Sequence, residues 1–151
     1  QRLDLLPETA EALMGLGNFA AAKETLAEAR DRAQSKGNHR VAASSRLMAV
    51  FLRTYMRDKS GDSENPLELV KDVVPRLEQE GAHAELATAW RLVGMVHGVG
   101  GRYSEATEAV QKSLQHARLA SNERLAAKAA KFLGGLALYG ATPVCEVIRQ
   151  C

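Results

Sequence analysis

At 151 residues the chain is one domain-sized piece, with enough length to bury its own core. Aromatic residues make up only 5% of it and alanine is abundant, which favours Ala/Leu-packed helices over a β core. A net charge of +2 gives no nucleic-acid footprint, and the longest mostly apolar stretch, Phe132 to Val144, is broken by glycines and falls short of the roughly 20 residues of a membrane-spanning helix.

The predicted elements begin with a helical hairpin over about 3–36, turning at Gly15-Leu16-Gly17-Asn18. Its second helix carries Phe19, Ala22, Leu26, Ala29 and Ala33 at 3–4 spacing, which makes one apolar face. Gly37 supplies the left-handed stop. The next helix spans about Arg40 to Asp58, with Val41, Ser44 or Ser45, Met48, Leu52 and Tyr55 on its buried side. Asp58 to Pro66 reads as loop, and Asn65 caps a helix that has Pro66 in its first turn. Pro75 falls inside that helix and is expected to kink or split it. Gly81 separates it from a helix over Ala82 to Val99, the glycines at 98, 100 and 101 make a turn, and a helix over Tyr103 to Leu119 follows. Ser121-Asn122 starts another helix running to about Tyr139, closed by Gly140. Thr142-Pro143 then opens a last one.

Two stretches of this chain share one template. Gly17-Asn18-Phe19-x-x-Ala22-x-x-x-Leu26-x-x-Ala29 recurs as Gly101-Arg102-Tyr103-x-x-Ala106-x-x-x-Val110-x-x-Ser113, 84 residues later, or two periods of 42. Ahead of the second copy stands Trp90-x-x-Val93-Gly94-x-x-His97. Ala130-x-x-Leu133-Gly134-x-x-Ala137 repeats that spacing 40 residues on, and Leu6, Thr9, Ala10 and Leu13 form a weaker first version. These residues resemble the tetratricopeptide repeat (TPR). Trp90, Gly94, Tyr103 and Ala106 match its motif, while Val93, His97, Val110 and Ser113 stand in for its other positions and its closing proline is missing. The copy between about Val41 and Gln79 rests on spacing and helical pattern alone. The small residues Gly94 and Ala106 let two antiparallel helices approach closely, and Trp90, Tyr103 and Val110 fill the wedge between hairpins.

The resemblance implies an all-α, right-handed superhelix of antiparallel hairpins, an α-solenoid of about three and a half repeats in a single domain: 3–36, 40–80, 82–120 and an incomplete 122–151. A period above the standard 34 implies longer helices plus an insertion in the second copy. Longer repeats of this sort resemble those of large bacterial regulators, in which the array follows an ATPase module and a nucleotide-cyclase or transcription-factor module. The segment from Tyr139 to Cys151 is similar to part of such arrays. No ATPase or cyclase motif is present, so neither activity carries over.

The chain starts at Gln1 without Met and stops at Cys151 in mid-pattern, so it reads as a piece of a longer protein. An uncapped array end is expected to self-associate, with Leu133, Leu136, Val144 and Ile148 as the exposed apolar residues. Cys145 and Cys151 lie six apart, on different faces of a helix, and do not suit a mutual bridge; a reducing, cytoplasmic setting fits them.

Catalytic and metal signatures are missing. The glycines around Gly98 lack the Gly-Lys-Ser/Thr ending of a phosphate loop, and His39, His83, His97 and His116 fall in no zinc motif. Glu105 and Glu108 suit the first turns of a helix, and Ser44, Ser45 and Ser60 have no nucleophile-elbow context. The chain therefore reads as non-enzymatic, without cofactor or metal.

In the resembled family the first helix of each repeat lines the concave face. The inward positions would then be Asp4, Pro7, Glu11 and Met14 in the first copy, and Ala43, Arg46, Val50 and Arg53 in the second. The third would supply Thr88, Arg91 and Met95, and the last Lys128, Lys131 and Gly135, with Leu138 and Tyr139 beyond. Arg46, Arg53, Arg91, Met95, Lys128 and Lys131 would line a partly basic groove suited to an acidic peptide or a terminal carboxylate. Two readings stand: a module that binds a protein or peptide partner, or a regulatory arm of a signalling ATPase that packs on its own domains. Neither needs a membrane or a nucleic acid.

Overall fold

The structure, a computed structural model, describes residues 2–57 and 64–139. Among these residues the chain is all-α, with seven α-helices and no strand. After a 3-10 turn at Leu3–Leu5 come α1 (Leu6–Gly15), α2 (Phe19–Ser35) and α3 (His39–Met56). Then follow α4 (Pro66–Gln79), α5 (His83–Val99), α6 (Tyr103–Leu119) and α7 (Glu123–Ala137). The predicted Gly140 stop, the Thr142-Pro143 helix start, both cysteines, Val144 and Ile148 lie outside the described residues.

The helices are joined by one recurring device. Gly17, Gly37, Arg57, Gly81, Gly101 and Ser121 all have positive φ, between 52° and 76°. They fall 20, 20, 24, 20 and 20 positions apart. The unit of repetition is therefore one helix with its turn, and two units make the 40-residue step seen between Trp90 and Ala130. Four additional positions, between Arg57 and Gly81, account for the larger offset of 84 between the two copies of the template. At the turns of Gly17, Gly37, Gly81, Gly101 and Ser121, the residue after the left-handed one donates its N–H back into the preceding helix. Asn18 reaches the Leu13 carbonyl at 2.9 Å, Asn38 that of Ala33 at 2.8 Å and Ala82 that of Leu77 at 2.8 Å. Arg102 reaches that of His97 at 2.9 Å and Asn122 that of Ala117 at 3.0 Å. This six-to-one bond closes a helix and requires a left-handed residue just before the donor, which glycine supplies without steric cost.

The residue that ends one helix also starts the next. The side chains of Asn18, Asn38 and Asn122 accept from the N–H groups of Ala21, Val41 and Leu125. Asn65 accepts from Leu67 and Glu68 ahead of Pro66, as its sequence position predicts. Ala82 and Arg102 occupy the same place without a side-chain cap.

Two compact units make up the chain, Gln1–Leu69 and Val70–Cys151, where the sequence reads as one array. In the first unit α1, α2 and α3 pack on one another, around a cluster of Ala10, Leu26 and Met48 with Met14 against it. In the second, α5, α6 and α7 do the same, around Ala106, Val110, Leu114, Ala129, Leu133 and Leu136. In both units α2 or α6 packs between two flanking helices, and those flanking helices also touch each other.

Three expectations are corrected. α4 is not split at Pro75 but runs unbroken to Gln79. Pro75 lies on the exposed side of the helix, where water can hydrate the backbone around it. Tyr55 is exposed instead of buried, with its ring 6.4 Å from that of Phe19. Leu133 and Leu136 are buried against α6 in the second unit's core and offer no apolar surface for self-association.

Candidate functional site

The basic face of α3 is the clearest constellation in the first unit. Arg46 and Arg53 are seven residues apart, two helical turns, so they share one side of the helix. Both converge on Glu64, just before α4. The Arg46 guanidinium pairs with the Glu64 carboxylate, and Arg53 Nη2 donates to the Glu64 backbone carbonyl at 2.6 Å. Both arginines are half-buried, which restrains the fork geometry that guanidinium uses to grip a carboxylate. Of the other inward positions predicted here, Pro7 and Val50 are buried, Glu11, Met14 and Ala43 are half-buried and Asp4 is exposed.

In the second unit the predicted residues divide. Thr88, Arg91 and Met95 on α5 are buried, with Arg91 only 8% and Met95 only 7% exposed. From Leu86 to Met95 every residue but Trp90 is buried, so α5 is enclosed on nearly all sides. Thr88 spends its hydroxyl on the Ala84 carbonyl at 3.1 Å. Trp90 is half-buried and takes Lys112 of α6 over its ring, with Nζ 4.3 Å from the centroid. On α7, Lys128 is half-buried and Lys131 exposed, three residues apart and so neighbours on the helix surface. Gly135, Leu138 and Tyr139 beyond them are exposed, and Tyr139 stacks on Tyr103 with centroids 6.2 Å apart. Of the six residues assigned to the basic groove, two therefore meet at Glu64, two are enclosed with α5 and two sit on α7.

Sequence reasoning missed two arrangements. Glu64 stands 18 positions from Arg46 and 11 from Arg53, in a stretch that reads as loop. The second is a histidine pair. His83 opens α5 and His116 lies in the last turn of α6, and the antiparallel hairpin brings them side by side. Their Nδ1 atoms are 3.1 Å apart, and their rings stack with centroids at 5.3 Å. Burial holds His116 below its ordinary pKa, the charge of His83 adds to this, and the carboxylate of Glu78 opposes it. His97, in contrast, faces Arg102, whose Nε donates to its Nδ1 at 2.9 Å.

No protein-family model, curated protein or solved structure matches the chain. Among the described residues no helix is long and apolar enough to cross a membrane.

Proposed function

We propose that the chain is a TPR-like helical array that works as a non-catalytic interaction module and takes an acidic protein or peptide segment on its basic helix face. The observation that carries this reading is the Arg46–Arg53 pair. Two guanidinium groups on one side of α3 already hold a carboxylate and a carbonyl from the same residue, Glu64. These are the groups that a bound acidic segment, or a chain terminus, would offer. The helix-and-turn unit, 20 residues long at four of its five steps, supports the repeat assignment, because such units leave one face free for partners. Lys128 and Lys131 form a second basic pair, on α7 within the second unit.

The test is fluorescence anisotropy with a labelled Asp/Glu-rich peptide that ends in a free carboxylate. Saturable binding by the wild-type chain is expected, weakened at least about tenfold in Arg46→Glu/Arg53→Glu with helical circular dichroism intact. No saturable binding, or equal binding by the variant, overturns the reading. A DNA duplex serves as the competing probe: binding it in preference to the peptide, with steep salt dependence, would replace the acidic-peptide reading with a nucleic-acid one.

A second reading, the regulatory arm of a multidomain signalling ATPase that packs on its own chain, is favoured by the same contact. The group held by Arg46 and Arg53 comes from the protein itself. Under this reading Glu64→Gln opens the pair, and peptide binding appears or rises several-fold in that variant relative to wild type. Unchanged binding in Glu64→Gln would remove the intramolecular reading.

A further inference from the structure

The α5–α6 hairpin joins two imidazoles that the peptide-binding reading does not use. We propose that His83 and His116 form a two-imidazole site for a first-row divalent transition metal ion, of the Ni2+, Cu2+ or Zn2+ class, that clasps the start of α5 to the end of α6. Imidazole nitrogen is the preferred protein ligand for these ions, which bind it at about 2.0–2.1 Å. Two nitrogens in adjacent coordination positions then sit about 2.9–3.3 Å apart, depending on geometry. The two Nδ1 atoms are already 3.1 Å apart. The centroids are farther apart, at 5.3 Å, so the nitrogens are the parts of the rings turned towards each other. An ion entering between them needs the rings to tilt and the proton that joins them to leave Nδ1 for Nε2 through solvent. Both imidazoles bind as neutral ligands, with each ring's remaining proton on Nε2, so the shift of the proton leaves the charge of the pair unchanged.

Three features support the assignment. The position of each histidine is fixed by a helix, so the pair loses little freedom when it chelates. Both rings are half-buried, which leaves an approach for the ion from solvent. Glu78 adds negative charge close enough to act on His116, which favours a cation there. Among the described residues no group of three or more His, Cys, Asp or Glu is placed to hold a metal, so the proposed site rests on the two imidazoles alone.

The experiment is calorimetric titration of the chain with NiCl2, CuCl2 or ZnCl2 alone. All arms carry Cys145→Ser and Cys151→Ser, so that no thiolate competes. One ion per chain is expected, with affinity reduced at least about tenfold by His83→Gln and equally by His116→Gln, while His39→Gln and His97→Gln bind as the parent does. The melting temperature of the parent should rise with metal concentration, and that of the His83 and His116 variants should not. Absence of saturable binding overturns the site, as does binding that survives both substitutions. A second measurement does not depend on the variants folding: paramagnetic resonance of the Cu2+-loaded parent should show coupling to two imidazole nitrogens, and coupling to one or none rejects the pair.

Discussion

In the α1–α2 hairpin the two helices meet where Ala10 packs with Leu26; in the α5–α6 hairpin the matching meeting is Gly94 with Val110. All four residues are buried. A methyl added to Gly94 would fall well inside contact with Val110 Cγ2 and lie 3.3 Å from the Ala106 carbonyl oxygen. Valine branches at Cβ and so presses a methyl against the neighbouring backbone, whereas leucine carries its branch one bond further out and leaves room for an alanine. The two hairpins thus divide a similar volume differently, small against β-branched in one and slightly larger against γ-branched in the other. The repeat constrains the sum of the facing pair more tightly than either member.

The comparison is broken most directly at Gly94. Gly94→Ala should destabilise the chain by about 1–3 kcal/mol, because the added methyl overpacks against Val110 and the α6 backbone, outweighing alanine's better helix propensity. The measurement is the urea midpoint followed by circular dichroism. Combining it with Val110→Leu recreates the arrangement of the first hairpin and should recover at least half of the loss. A double variant whose cost equals the sum of the two single changes would show that the pairs are independent and that the equivalence between hairpins fails.

What could be read from sequence follows the range of the interactions. The turns were legible because glycine marks four of the six left-handed positions and Asn follows three of them, both local effects of backbone sterics and capping. Arg57 and Ser121 adopt the same conformation without that marker; the 20-residue spacing exposes them once the others are aligned. The close approach at Gly94 and Ala106 was legible too, because small residues at fixed helical offsets have few other uses. The site was harder to read. Transferring an inward face from a repeat pattern put Arg91 and Met95 towards a ligand, but the run from Leu86 to Met95 has no other charged residue, and a helix apolar on nearly every side is enclosed. The Arg46–Arg53–Glu64 contact and the His83–His116 pair link positions 11 to 33 apart, and such contacts depend on which faces meet and not on any local motif.

The turns allow a second, smaller contrast. Asn122 and Arg102 occupy the same place, just after a left-handed residue, but only Asn122 caps the following helix with its side chain. Asn122→Ala should therefore cost about 1 kcal/mol, and Arg102→Ala should stay within about 0.5 kcal/mol of wild type. Thermal denaturation of the two variants side by side checks this. Equal losses would mean that the Asn122 side-chain cap contributes no more than the non-capping Arg102 side chain.

Gly134 sharpens the comparison from the other direction. It stands 40 positions after Gly94, at the same place in the template, yet no described residue lies within 4 Å of where its Cβ would be. Among the described residues a glycine there has no close helix to accommodate, and it carries the entropic cost of glycine within a helix. Gly134→Ala should accordingly stabilise the chain by about 0.5–1 kcal/mol, opposite in sign to Gly94→Ala. The same urea midpoint measures both substitutions. A loss at Gly134 comparable to that at Gly94 would mean that a further helix packs on α7 as closely as α6 packs on α5, and the repeat would then continue past the described residues with its spacing intact.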